Sequence, residues 1–298
     1  MRRWSFAAQT HVASSILGGL LLPGIAMAQQ GGVIERLQGD VRIIRAGQSM
    51  NAQPGHRVMP RDRIVSGPAS AAGFTTPDNG KVSLGPNSQM IVDEIAFHQP
   101  TQDGNIAVRF LKGTFSAVTG LLGKISPKKS TYQTPTATIG IRGTEFSVRV
   151  EMPAELENKI LADNAPGDKP SPGLDATEKK ALSDVSVTIG LDAGGVDVKS
   201  LTGPVGLYRE HRQTEANDFE AFKNQIRDGV EKERKAFEDY KGKIQREFVG
   251  YVESVSMKAG TEVVLSGNTA VERKGVAENP ARSFMQSWQA GQSTSGRP

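Results

Sequence analysis

The sequence predicts an all-β protein with short strands and glycine turns. Three observations support this prediction. Short runs of alternating apolar and polar residues fill the chain from Val33 to about Val150, turn residues separate these runs, and helical periodicity is nearly absent there. The 33 glycines and 16 prolines among 298 residues suit such a turn-rich architecture.

Residues 1–28 have the three parts of a secretory signal peptide. Arg2 and Arg3 provide the charged start, a short apolar run follows, and Ala26-Met27-Ala28 provides the small residues before cleavage. We therefore expect a mature protein that begins at Gln29, lies in the periplasm and has no membrane span after cleavage. An uncleaved anchor is the alternative. Because the chain has no cysteine, a lipid-modified N-terminal cysteine and disulfides are both excluded.

The charge balance of the mature chain argues against nucleic acid as a partner. Without Arg2 and Arg3, the 36 basic residues become 34 against 32 acidic ones, a net charge of +2. A nucleic-acid-binding surface requires a larger and more clustered excess of positive charge. The short basic run KISPKKS, residues 124–130, is interpreted as a solvated loop.

The first strands are separated by strong turn signals. Asp78-Asn79-Gly80 lies between two extended runs and predicts a hairpin. Gly39, Gly113, Gly195 and Gly267 each open or interrupt a similar short alternating segment, at uneven spacing. We interpret these segments as strands with glycine turns rather than as the repeat of a solenoid.

The run TIGIRGTEFSVRV, residues 138–150, predicts one core-facing strand kinked at Gly143, or two short strands that meet at a corner. Its apolar positions are odd-numbered at Ile139 and Ile141 but even-numbered from Phe146 onwards. Side chains alternate between the faces of a strand, so one extra residue is needed to keep both halves on the core. Gly143 is the residue that best accepts the left-handed backbone of such a bulge. On this interpretation Arg142 and Glu145 point away from the core and can pair.

The β domain assigned to residues 29–215 contains an insertion and is followed by three further parts. The insertion, residues 152–184, is rich in proline and charge. Residues 216–248 are predicted to form an amphipathic helix, 249–275 a small β-hairpin, and 276–298 a disordered tail. The helix carries an apolar stripe formed by Phe219, Phe222, Ile226, Val230, Phe237, Tyr240, Ile244 and Phe248. This stripe packs either on its own domain or on a partner, including a second copy of the chain.

The sequence contains no recognisable catalytic or metal-binding arrangement. His56, His98 and His211 are far apart and lack metal-ligand spacing. Asp93 and Glu94 are adjacent on a strand, where they would face opposite sides and make a poor acid–base couple. We therefore expect a non-enzymatic protein with no catalytic residue, no cofactor and no metal.

The segment YQTPTATIGIRGTEFSVRV resembles the signature of the FecR domain. The matching family-motif positions are Thr134, Pro135, Ala137, Ile139, Arg142, Gly143, Thr144 and Phe146, with Glu145 between the last two. An upstream pattern is also similar to the family, through Gly67, Ser70, Gly80, Leu84, Gly85 and Ser88. The resemblance covers roughly residues 33–215. It implies an all-β fold in which two sheets pack face to face, as a β-sandwich or β-roll, and in which these motif residues shape the backbone.

The resemblance also implies a function. It suggests an exported, non-enzymatic periplasmic module that binds or scaffolds a protein or an envelope polymer. The alternative is a component of cell-surface signalling or iron-uptake regulation that works through a separate membrane partner. Regulators of the founding type carry a cytoplasmic segment that handles a sigma factor. Here a signal peptide stands in that place, so a direct anti-sigma activity is not expected.

Overall fold

The computed structural model describes residues 29–154, 156–157, 182–212 and 244–295. The signal peptide predicted for residues 1–28 lies outside these ranges. The strands are β1 (Gln29–Gln30), β2 (Gly32–Gln38), β3 (Val41–Arg45), β4 (Gln48–Asn51), β5 (Arg57–Val58), β6 (Arg63–Ser66), β7 (Ala71–Thr75), β8 (Lys81–Leu84), β9 (Gln89–His98), β10 (Asp103–Val118), β11 (Ser130–Gln133), β12 (Ala137–Glu151), β13 (Ser186–Ser200), β14 (Val205–Arg212), β15 (Ile244–Val252), β16 (Ser254–Lys258), β17 (Thr261–Ser266) and β18 (Thr269–Lys274). The helices are α1 (Leu121–Ile125) and α2 (Pro280–Ser295), and 3₁₀ turns span Pro127–Lys129 and Leu182–Asp184. The prediction of an all-β fold is confirmed.

The strands form two sheets that share three long strands. The first sheet has the order β4-β3-β6-β9-β10-β11-β12-β13-β16, with β1 at the far end of β9. The second has the order β5-β2-β7-β8-β10-β12-β13-β17-β18-β14-β15. Strands β10, β12 and β13 each contribute one half to each sheet. Neighbouring strands are antiparallel except for β10–β11 and β14–β18, which are parallel.

Most passages of the chain between the two sheets include a residue with positive φ. These residues include Gly39, Ala69, Asn87, Gly113, Gly143, Gly194 and Gly260, with φ between 51° and 95°. Three of them, Gly113, Gly143 and Gly194, lie inside the long shared strands. At each of these bends, at most two consecutive residues have no direct partner on the neighbouring strand. A left-handed residue in a bulge redirects a strand in this way. The bends form two rows at opposite ends of the second sheet: Gly39, Ala69, Asn87 and Gly113 lie at one end, and Gly143, Gly194 and Gly260 lie at the other.

The core lies between the two sheets and is centred on aromatic side chains. The ring centroids of Phe110, in the first sheet, and Phe115, in the second, are 4.3 Å apart in a stacked arrangement. Tyr132 of the first sheet meets Phe146 of the second edge to face at 5.1 Å. All four side chains are buried. The two halves of each bent strand therefore both supply the same core, as the alternation of apolar residues requires.

The C-terminal segment is a packed helix, so the prediction of a disordered tail at 276–298 is wrong for residues 280–295. Asn279 caps α2, because its Oδ1 accepts hydrogen bonds from the backbone N–H groups of Ala281 and Arg282. Ala281, Met285 and Trp288 recur at helical spacing and are buried on the second sheet. The polar composition of the tail concealed this stripe.

Two further predictions for the C-terminal half need correction. The predicted helix at 216–248 lies outside the described residues up to 243, and from Ile244 to Phe248 it is wrong because these residues belong to β15. Region 249–275 holds more than a hairpin. β17 and β18 form the hairpin, but β16 and β17 also pair with β13 and so continue both sheets. In the described ranges, no helix has the length and apolar character needed to cross a membrane.

Candidate functional site

The Arg-Gly-Thr motif forms a double bulge in the β12–β13 pair. Gly143 and Thr144 of β12 lie opposite the single β13 residue Gly194, and one step further the extra residue is on β13, at Asp192. Gly143 has a φ of 60°, in the left-handed region. The bulge and the left-handed glycine inferred from the sequence are thus both present in the structure.

The sequence carries a second signal for this bulge, on β13. On β13 the buried apolar positions are odd-numbered up to Leu191 and even-numbered from Val196. This is the same change of parity as on β12, at the position directly opposite. Two strands that change parity together are the expected signature of paired bulges, since both must keep their apolar residues on the core.

Hydrogen bonds tie the bulge to the connection before α1. The backbone N–H of Thr144 donates to Thr119 Oγ1 at 2.9 Å, and the Thr144 carbonyl accepts from the Thr119 N–H at 3.0 Å. The Thr144 hydroxyl donates to the carbonyl of Ala193 across the bulge. The buried carboxylate of Asp78 accepts the N–H of Leu122 at 3.0 Å. These contacts hold the corner in one conformation.

Beside the bulge, the two acidic residues Glu145 and Asp192 lie near one basic residue, Arg282. Asp192 Oδ1 and Arg282 Nη2 of α2 are 2.5 Å apart. Burial and the nearby Asp192 carboxylate raise the pKa of Glu145, against the opposing effect of Arg282. The pKa of Asp192 is also raised by burial, in spite of its arginine. The side chain of Arg142 is outside the described part, so the predicted Arg142–Glu145 pair stays a prediction.

The other described motif residues lie in a turn and in the core. The Thr134 Oγ1 accepts the N–H of Ala137 at 3.0 Å and the Thr134 N–H donates to the Ala137 carbonyl at 2.8 Å, which closes the turn around Pro135. Phe146 is fully buried in the aromatic core. The described motif residues therefore occupy a turn, a bend and the core, and they do not converge on one pocket.

The upstream motif positions form two equivalent corner turns. Gly67-Pro68-Ala69-Ser70 and Gly85-Pro86-Asn87-Ser88 have the same form, and each serine hydroxyl donates to its proline carbonyl at 3.0 Å. Ser70 Oγ also accepts the N–H that follows Gly39, and Ser88 Oγ accepts the N–H that follows Gly113. Two of the four similar glycine segments noted in the sequence thus share one local geometry.

A row of small residues crosses the outer face of the second sheet beneath α2. Directly paired neighbours make up this row, in the order Gly190, Ser147, Ser116, Ser83, Gly73. The Ser83 hydroxyl donates to the carbonyl of Ala281 at 2.9 Å, and a Cβ on Gly73 would lie 2.7 Å from the Trp288 ring. The row is therefore a groove already filled by the C-terminal helix.

Further along the same outer face, aromatic side chains are exposed. Phe248 is 49% and Tyr251 is 76% exposed, and their ring centroids are 5.4 Å apart. Tyr208 lies 5.2 Å from Phe248 on the paired strand. The sequence pattern predicted a helix at Phe248 and gave no sign that Tyr208 and Tyr251 are exposed, because exposure is decided by what packs above the sheet.

Among the described residues there is no group of three or more His, Asp or Glu side chains that could hold a metal ion. His98 Nδ1 lies 2.8 Å from Thr101 Oγ1 at an exposed turn, and His56 is on another strand connection. The side chain of His211 is not among those described. The geometry defines a class of protein, a two-sheet β module whose motif residues shape corners.

Comparison with known proteins finds a family match for part of the chain. Residues 62–161 match the family model described as FecR protein. The resemblance to the FecR domain family is therefore confirmed, and the matched stretch contains the two serine corner turns, Gly143 and Thr144. No curated protein matches the chain.

One similar solved structure is described as the "Crystal structure of a putative anti-sigma factor from Parabacteroides distasonis ATCC 8503". It is 10% identical, and the alignment covers 72% of this chain and 60% of that chain, with a TM-score of 0.34. At that TM-score the likeness supports no conclusion about fold or function. This chain spans about 60% of the length of that protein.

Proposed function

We propose that this protein is an exported, non-enzymatic FecR-domain module that acts in signalling across the cell envelope through a separate membrane partner. The observation that carries the proposal is the FecR family match over residues 62–161, which contains most of the corner motifs. A regulatory family favours the signalling role over general scaffolding of a protein or envelope polymer. The motif residues are proposed to be structural, since each described one fixes a turn, a bend or the core.

A comparison of gene expression tests the signalling role. A strain that lacks the gene is compared with its parent by transcript sequencing, after complementation with the intact chain or with a chain lacking residues 2–28. We expect a defined set of envelope-transport transcripts to change and to be restored only by the intact chain. Unchanged transcripts together with a leaky envelope would overturn the signalling role in favour of scaffolding.

Export is tested separately. N-terminal sequencing of the protein recovered from the periplasmic fraction is expected to begin at Gln29, because Ala26 and Ala28 provide the small residues that a signal peptidase needs. Recovery in the membrane fraction with residue 1 or 2 at the N-terminus would replace this expectation with an anchored protein.

A further inference from the structure

The outer face of the second sheet carries an apolar row in which Phe248 and Tyr251 are exposed and Val264, Val271 and Tyr208 are half-buried. Val264, Val271, Tyr208 and Phe248 are direct neighbours on β17, β18, β14 and β15. The residues beside them in sequence, such as Val263, Ala270 and Leu207, point into the core, so the row faces outwards. Tyr251 extends the row at the edge strand. We call these five residues, Val264, Val271, Tyr208, Phe248 and Tyr251, the apolar row.

The part of the same outer face that holds the small-residue groove is covered by the chain itself. Residues 276–292 lie across the small-residue groove and are held there by Trp288, by the Ser83 hydroxyl and by Asn279, whose Nδ2 donates to the Val148 carbonyl at 3.0 Å. This sheet is thus a face that the chain covers in cis. An exposed apolar row beside an edge strand is otherwise a site of unwanted association.

The segment between β14 and β15 starts and ends next to the apolar row. Arg212 and Ile244, which flank residues 213–243, are paired in the β14–β15 ladder, four residues beyond the Tyr208–Phe248 pair. A single helix over this segment would be about 46 Å long, whereas its ends lie about 5 Å apart. Both flanking residues are therefore fixed at the same end of the β14–β15 pair, and Gly229 lies at the middle of the sequence between them.

The composition and length of the segment match the apolar row. Its apolar stripe has members on both sides of Gly229, namely Phe219, Phe222, Ile226, Val230, Phe237 and Tyr240. Each half, as a helix of about 14 residues, would be about 20 Å long. The row from Phe248 to Val264 crosses three strand spacings, about 15 Å. We propose that residues 213–243 pack their apolar stripe on the apolar row and cover this part of the sheet in cis.

The absence of cysteine makes the proposal testable by thiol labelling. Val271→Cys places a thiol in the row, and Lys258→Cys places a matched control thiol at an exposed position of the first sheet. Each is introduced into the mature chain and into a variant in which an Asn-Gly turn joins Arg212 directly to Ile244. We expect maleimide to label the Val271→Cys thiol about tenfold faster or more in the shortened variant, with no change at the control.

A second variant tests the same proposal without shortening the chain, so that the conclusion does not depend on the folding of the shortened chain. Phe222→Ser with Phe237→Ser keeps the length of the segment but breaks its stripe, and it should raise the labelling rate of Val271→Cys in the same way. Sedimentation of the mature chain should show a monomer throughout. Fast labelling in the unaltered chain would mean that the row is free and would overturn the proposal.

Other outcomes also decide the question. Slow labelling in a dimer that becomes fast on dilution would assign the row to a second copy. Slow labelling that persists in both altered chains would mean that another part of the molecule covers the apolar row. Either result would overturn packing of residues 213–243 in cis. The proposal does not depend on the signalling role, which these measurements do not address.

Discussion

Replacing single glycines in the double bulge tests why β12 is interrupted. At Gly143 a Cβ would meet nothing closer than Lys124 Cγ at 3.4 Å, an ordinary contact, so the cost of Gly143→Ala comes from the φ of 60°. A left-handed backbone costs an L-residue about 1–2 kcal/mol, less a few tenths gained from a stiffer unfolded chain. We expect Gly143→Ala to lower the free energy of unfolding by about 1 kcal/mol.

Gly194, on the facing strand, should be far less tolerant. A Cβ there would lie 2.2 Å from the Gly143 carbonyl oxygen and 2.9 Å from Thr144 Cβ, and φ is 84°. Because the obstacle is backbone, the bulge itself must shift. We expect Gly194→Ala to cost about 3 kcal/mol or more. Gly143→Val should cost about as much, since a β-branched residue tolerates positive φ poorly.

The matched control is Gly140→Ala on the same strand, where a Cβ would meet only the Asp197 carbonyl at 3.6 Å. It should be neutral or slightly stabilising. Unfolding in urea is followed by the fluorescence of Trp288, the single tryptophan of the mature chain after residues 1–28 are removed. If Gly143→Val unfolds like the parent, or Gly140→Ala costs as much as Gly194→Ala, the bulge does not explain the interruption.

Three further outcomes are expected. Trp288→Ala should lower stability by about 3–5 kcal/mol in thermal melts followed by circular dichroism, because the ring is buried on the small-residue groove; an unchanged melt would mean that α2 is not docked. Ser88→Ala leaves the N–H of Thr114 without its acceptor and should cost about 1–3 kcal/mol in the same melts, unlike exposed Ser49→Ala. Glu145→Gln should raise the melting temperature at pH 7, because the raised pKa of Glu145 means that its charged form destabilises the folded state. That gain should disappear as the pH falls below about 4, where the carboxyl is neutral in both states, and a gain independent of pH would contradict this account.

The periodicity of the sequence correctly predicted which residues of β12 face the core and where the strand bends. The change of parity between Ile141 and Phe146 indicated a bulge at Gly143, and the structure shows a positive φ and a shifted register there. Parity is informative because every buried position of a strand has to face one core, whatever the rest of the fold. The same reasoning applied to Leu191 and Val196 would have located the facing bulge.

Predictions from local composition were wrong where only a few residues determine the structure. The tail from residue 276 is rich in glycine, serine and glutamine, but Asn279 at the cap and three apolar residues at helical spacing were enough for α2. Burial of those three side chains in the groove on the second sheet stabilises α2. The helix therefore depends on tertiary packing more than on intrinsic helix propensity. The helix predicted to continue to Phe248 was wrong there for a related reason. β15 is held by pairing with β14, a neighbour that the window around Phe248 does not contain.

The sequence by itself determined which residues face the core and where the chain bends, because side-chain alternation and left-handed glycines are local properties. Only the tertiary structure decided which strands are neighbours, and therefore which outer faces lie next to each other. Gly190, Ser147 and Gly73 are far apart in the chain and become one groove through strand pairing alone. The apolar row arises in the same way, from β17, β18, β14 and β15. Long-range pairing joins residues whose separation along the chain carries no periodic signal, so such surfaces emerge only when the sheets are assembled.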